Sequence, residues 1–249
     1  MRHIWILMRT RMCSVEMRGC VKTRYTILID ADFESRKRVL RHLAQIDLSE
    51  AVNAVKSGGV IAFPTDTFYA LGVDAMNELA IRKAFEIKRR SATTPMPVLI
   101  SEISQAETFT SSFNAASHAL AERFWPGALT IVVEANDDLP DVLTDGLGTV
   151  GLRMPNHDLA RRLMTEAGCG ITGTSANVSG EPPSKDWRVV DESIGIELDA
   201  FVIGECGDEL AASTVVQVVD GSVQILREGP ISADEIEATL AEIGYEFGP

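Results

Sequence analysis

No apolar run in this chain approaches the roughly 20 residues that span a bilayer, so the sequence offers no membrane helix. Cysteine is scarce, with Cys13, Cys20, Cys169 and Cys206 scattered and no CxxC pair. That excludes a disulfide scaffold and points to reduced thiols in a cytoplasmic protein. His3, His42, His118 and His157 lie far apart without an HExxH, which argues against a histidine metal site. There is no GxxxxGK[ST] and no GxSxG, and Ser175 has no evident histidine partner for a hydrolase triad. Positive charge is also short: 23 Lys and Arg stand against 36 Asp and Glu, a net charge of -13. Residues 1–25 hold six of the cations and one acid, so the remainder carries -18. Such a body does not bind nucleic acid by general phosphate neutralisation. Any anionic ligand needs a local pocket with a few well-placed cations.

The chain has 249 residues, 45% of them hydrophobic, enough for one globular domain with a small extension. Residues 1–25 read as a disordered leader, or as upstream sequence retained by an early start codon. Their apolar stretch, Ile4 to Met8, is too short for a signal peptide. Residues 26–45 read as a charged peripheral segment and residues 46–243 as the domain. Asp47 and Glu50 form a capping box that opens a helix over 48–56, stopped by Gly58 and Gly59. A buried strand over 60–63 ends at Pro64. Helices follow over 78–88, 115–123 and 157–167, and strands over 97–100, 129–134 and 151–154. Asp220-Gly221 between strands 214–219 and 222–227 is a hairpin signal, and Ser232 with Glu235 caps a last helix. Intermixed helices and strands with a terminal antiparallel pair predict an α/β fold with an open, twisted, mixed sheet.

"GLGTVG" at 146–151 matches GxGxxG, yet an extended, proline-terminated segment follows where a dinucleotide site needs a helix. Four other segments place short polar groups or cations at strand ends, where ligands of open α/β sheets sit. "FPTDTFYALGVDA" breaks a buried strand and presents Thr65, Asp66 and Thr67; a capped turn is the simpler reading. "KRRSATTPMPVL" puts Lys88 and Arg90 at the end of a helix, either as a solvated basic terminus or as a phosphate clamp. At such an exposed terminus, replacing either residue should barely change stability. "TVGLRMP" puts Arg153 inside an apolar strand, where an internal carboxylate or an anionic ligand must satisfy it. "TGTSANVSGEPPS" at 172–184 holds one charge in thirteen residues. Ser175 and Asn177 are two apart, so an extended backbone would turn both toward one cavity. "ASTVVQ" and "ILREGP" add Ser213 and Arg227. Neutral donors beside a few cations suit a ligand with phosphate and an amino-acid-like part.

Together, "PTDTFYALG", "KRR", "FWPGALT", "GLRMP", "TSANVSG", "STVV" and "LREG" resemble the YrdC-type threonylcarbamoyl-AMP synthase family in its single-domain form, over about four-fifths of the chain. The resemblance implies a twisted α/β fold with a large concave cavity. It implies a nucleotidyltransferase that converts L-threonine, bicarbonate and ATP into threonylcarbamoyl-AMP and pyrophosphate, with magnesium. Partner proteins then transfer the threonylcarbamoyl group to an adenosine of certain tRNAs, so a tRNA contact is also implied. By motif, Lys88, Arg90 and Arg227 meet ATP phosphates, with Lys88 and Arg90 catalytic. Thr94, Thr149, Asn177 and Ser184 complete the nucleotide contacts. Thr67, Arg153, Ser175 and Ser213 hold threonine. The chain departs from the family pattern at Ala70, Thr94 and Leu99, and it ends without the linker and terminal domain of longer members. Two other readings compete: a paralogue that binds nucleotide or RNA without synthase activity, and a general binder of RNA duplexes.

Overall fold

The computed structural model describes residues 48–89, 95–209, 211–219 and 221–245. The leader (1–25), the peripheral segment (26–45), Asp47, Arg90, Thr94 and Asp220 lie outside the described residues.

Helix α1, Ser49–Lys56, buries Ala51, Val52 and Val55 along one stripe. Its N-cap position falls on Leu48, which has no side-chain acceptor to offer, and the expected Asp47–Glu50 capping box rests on Asp47, outside the described residues. Gly58 ends the turn at φ +73°, a conformation that favours glycine. The fully buried strand β1, Ile61–Phe63, pairs antiparallel with β2, Ala70–Gly72. Helix α2, Glu78–Ile87, starts where the Asn77 side chain accepts from Ala80 N–H. Then come β3, Val98–Leu99, and α3, Ala115–Phe124, capped by Asn114. Strand β4, Leu129–Glu134, matches its sequence-predicted bounds. A short helix α4, Asp141–Thr144, precedes β5, Thr149–Arg153. Helix α5, Asp158–Ala167, is capped by His157 Nδ1 and ends at Gly168 in the left-handed region. Strands β6, Ile171–Thr172, and β7, Thr174–Ser175, lead to α6, Trp187–Ile194, and β8, Ala200–Phe201. The expected hairpin is β9, Thr214–Val219, with β10, Ser222–Arg227, followed by α7, Ala233–Glu242, behind a complete Ser232–Glu235 capping box.

The strands form two mixed sheets. One has the order β10-β9-β4-β5-β3-β6 and the other β7-β2-β1-β8. Ile131 and Val133 of β4 and Val216 and Val218 of β9 share a core with Leu120, Ile236 and Leu240 of the helices. A second core sets Leu48, Val52 and Val55 against Ile61, Phe63, Leu163 and Met164. Truncating one such aliphatic side chain to Ala costs about 2–5 kcal/mol.

A single residue carries the chain from one sheet to the other. Thr172 ends β6 in the six-stranded sheet and Thr174 starts β7 in the four-stranded one. Between them, Gly173 N–H donates to Pro97 O at 2.8 Å, and a Cβ here would fall 2.5 Å from Leu99 Cγ. The crossing therefore needs glycine for space, and it delivers "TSANVSG" to the gap between the sheets. Among the described residues, no helix is long and apolar enough to cross a membrane.

Candidate functional site

Strand alternation gives the six-stranded sheet two different faces. Ladder pairs Thr130↔Val215, Val132↔Gln217 and Val132↔Gly151 put these residues opposite the core-facing Ile131 and Val216. Together with Thr149 and Arg153 they form one wall of a cavity of about 830 Å³. Thr65, Thr67 and Tyr69, from the stretch after β1, and Ser175 of β7 line it too, with Ser213 and Arg227 from the hairpin end. That volume lies in the upper part of the range usual for small-molecule sites.

Buried Arg153 answers the question its sequence position raised. Its Nη2 donates to Asp66 Oδ1 at 2.6 Å, Nη1 to Thr67 Oγ1 at 3.2 Å and Nε to Gly127 O at 3.0 Å. An internal carboxylate therefore pairs the guanidinium, although Arg153 still faces the cavity. The other carboxylate oxygen, Asp66 Oδ2, is buried without a hydrogen-bond partner. Thr67 is bonded in turn to Thr65 Oγ1 at 3.1 Å.

At the hairpin end, Arg227 donates from Nε and Nη2 to Ser213 O, at 3.1 and 2.7 Å. Ser213 Oγ lies 2.9 Å from Thr130 Oγ1. Partial burial, reinforced by the Arg153 charge, lowers the Arg227 pKa from its ordinary value. Two guanidiniums that repel across one void make a site disposed to an anion. Tyr69 contributes structure: its hydroxyl donates to Gly204 O and accepts from Gly204 N–H, and burial pushes its pKa far up.

Three expected site residues lie differently. Lys88, expected at an exposed helix terminus as either a solvated cation or a phosphate clamp, is buried and only 2% exposed. Its ammonium donates to Ser175 O and, at 2.9 Å, to Asn177 O. The Lys88 carbonyl accepts from Ser179 N–H, so the 175–179 turn closes over this residue. The backbone does not stay extended past Ser175, because Asn177 N–H folds back onto Ser175 O. Asn177 consequently does not share the cavity with Ser175. Its amide donates to Val178 O and Glu181 O, the local capping that competes with ligand binding. Ser184 Oγ is engaged with the Asp186 backbone, while neighbouring Pro183 lines the cavity. Arg90 and Thr94 lie outside the described residues. The structure thus brings together Thr67, Thr149, Arg153, Ser175, Ser213 and Arg227.

Asp66 and Thr130 were absent from the sequence-derived site. Asp66 sat in a stretch readable as a capped turn, and Thr130 in an apolar strand. Only the ladder register and the Arg153 contact give them a place. "GLGTVG" runs into β5 and not into a helix, which removes it as a dinucleotide loop. Burial raises the thiols of Cys169 and Cys206 to about 12 and about 11, which keeps both protonated near neutrality. No group of three or more His, Cys, Asp or Glu able to hold a metal occurs among the described residues.

A family model for Sua5, YciO and YrdC proteins, described as telomere recombination, matches residues 53–229. The chain belongs to the Sua5/YciO/YrdC family. Among the described residues, the matched range contains all ten strands and every cavity-lining residue. The chain is similar to the threonylcarbamoyl-AMP synthase of Pyrococcus abyssi, with 34% identity over 194 residues, 78% of this chain and 57% of that protein. It is 37% identical to the threonylcarbamoyl-AMP synthase of Bacillus subtilis over 203 residues, 81% of this chain and 58% of that one. The crystal structure of P. abyssi Sua5 complexed with L-threonine superimposes with a TM-score of 0.74 at 34% identity. It covers 77% of this chain and 56% of that one. The chain therefore spans well under two thirds of the length of these Sua5/YciO/YrdC relatives.

Proposed function

We propose that this protein is an L-threonylcarbamoyladenylate synthase, a nucleotidyltransferase acting on L-threonine, bicarbonate and ATP, with residues 46–243 as its catalytic domain. The observation that carries this reading is the convergence of Arg153 and Arg227 with the hydroxyls of Thr67, Ser175 and Ser213 on one cavity. The threonine complex of a family member at 34% identity supports an amino-acid half of that site.

The chemistry asks for alignment and charge neutralisation. The amine of threonine and bicarbonate combine to a carbamate with loss of water. A carbamate oxygen then attacks the α-phosphorus of ATP, and the bond to the bridging oxygen breaks as pyrophosphate leaves. No side-chain nucleophile is required, so two substrates held in line account for most of the acceleration. Arg153, Thr67, Ser175 and Ser213 hold threonine. Arg227, Arg90 and Lys88 neutralise the phosphates, and Thr149, Thr94, Asn177 and Ser184 surround the nucleotide. For Lys88 and Asn177 this requires the 175–179 turn to open or to share its donors, because both serve that turn here. Magnesium enters with ATP as part of the substrate. Among the described residues the cavity lining offers no carboxylate, so magnesium would be held through the phosphate oxygens of ATP. The product passes to threonylcarbamoyl-transferase partner proteins and so to a tRNA adenosine, and the compartment is the cytoplasm.

Mass spectrometry of the protein with threonine, bicarbonate, ATP and magnesium tests the reading. The expected product is threonylcarbamoyl-AMP, with pyrophosphate release that needs both threonine and bicarbonate. The internal engagement of Lys88 and Asn177 favours one second reading, a nucleotide-binding paralogue without synthase activity. Tight nucleotide binding with no threonine-dependent pyrophosphate would select it.

A further inference from the structure

Val132, Gly151 and Gln217 stand side by side on the cavity face of the six-stranded sheet, joined by the pairs Val132↔Gly151 and Val132↔Gln217. Gly151 lacks the Cβ that would sit 3.1 Å from Thr130 Cγ2 and 3.6 Å from Pro97 Cβ. The row therefore presents a flat apolar floor with one amide at its end. Two residues back along β9, about 7 Å away, Val215 pairs with Arg227, which marks the cationic end of the same wall. Gln217 is half-buried and lines the cavity. Its amide makes no hydrogen bond to any described residue. A half-buried amide with donors and acceptor both unmatched is unfavourable unless water or a ligand completes it.

We propose that Gln217 reads the base of the bound nucleotide, its amide pairing with the 6-amino group and an adjacent ring nitrogen of adenine. A glutamine amide offers an acceptor beside a donor, and adenine offers a donor beside an acceptor, the same match used in bidentate adenine recognition. The floor formed by Val132 and Gly151 takes the face of the ring, and the phosphates lie toward Arg227. Solvent-facing glutamine on an unused sheet face is the opposing description, and it assigns Gln217 no preference among bases. The inference rests on the nucleotide half of the proposed function.

Calorimetric titration of ATP, and of the purine ribonucleoside triphosphate that lacks the 6-amino group, decides the matter. The full chain is used with magnesium, as wild type, Gln217→Ala and Gln217→Leu. Wild type should prefer ATP by about three- to tenfold, the scale of one hydrogen bond. Each variant removes both bonds, so it should weaken ATP by about ten- to a hundredfold, weaken the other nucleotide by the one bond it keeps, and bind the two equally, with L-threonine affinity unchanged. Leu preserves bulk if Ala perturbs the strand. A wild type that does not distinguish the two nucleotides overturns the assignment without recourse to any variant. Variants that keep the wild-type preference also overturn it and leave the proposed function standing. Absence of any nucleotide binding overturns both.

Discussion

Replacing Asp66 by Ala removes one half of a buried ion pair and leaves the other half in place. Arg153 Nη2 lies 2.6 Å from Asp66 Oδ1, with 7% and 6% of the two side chains exposed. Breaking such a pair from one side costs about 3–5 kcal/mol, because the remaining charge stays buried without its partner. Arg153 keeps its bonds to Gly127 O and Thr67 Oγ1, and it faces a cavity that admits water. These favour the lower end, about 3 kcal/mol. With a urea slope of about 2–3 kcal/mol/M, the unfolding midpoint should fall by about 1–1.5 M. Asp66→Asn keeps an acceptor for Nη2 and should lose less. Combining Asp66→Ala with Arg153→Met removes both charges, so the double variant should be more stable than the sum of the single losses predicts. A coupling of about 1–3 kcal/mol is expected for groups in contact. A loss below about 1 kcal/mol for Asp66→Ala, or additive single effects, would refute the claim that Asp66 is the charge partner that satisfies buried Arg153.

Lys88→Ala should lower stability by about 1.5–3 kcal/mol, the worth of charge-assisted bonds, because the ammonium holds the Ser175 and Asn177 carbonyls. An unchanged melting temperature would show that the turn stands without it. Ser175→Ala should weaken threonine by up to about tenfold at constant stability. Asn177→Ala should instead lose stability, since its amide ties Val178 and Glu181; paired titrations and melts separate the two. Burial raises the Cys206 and Cys169 thiols to about 11 and about 12, above the ordinary 9.0. Their contribution to stability is therefore complete below about pH 9 and lost as pH rises through the folded values. Melting temperature should fall above pH 9. Peptide-level alkylation at pH 8 should be at least about tenfold slower at these two residues than in denatured chain, and equal rates would remove the effect.

The sequence by itself determined the elements whose signals are local. The β9–β10 hairpin, the Ser232–Glu235 capping box and strand β4 follow from turn chemistry, reciprocal capping and apolar runs that neighbouring residues complete. Arg153 was also legible as a buried charge in need of a partner, and the stretches around Thr67, Ser175, Ser213 and Arg227 were legible as parts of one site. Tertiary structure decided the rest. Strands β6, β7 and β8 have two residues each and carry no periodicity, so their pairing with β3, β2 and β1 supplies what local sequence lacks. Sequence could not choose between a carboxylate and a ligand for Arg153, because Asp66 is 87 residues away. Nor could it place Lys88, whose burial depends on carbonyls that the sheet crossing at Gly173 carries over it. Charges and amides are satisfied by whatever the fold brings within about 3 Å, and that proximity exists only once the two sheets have met.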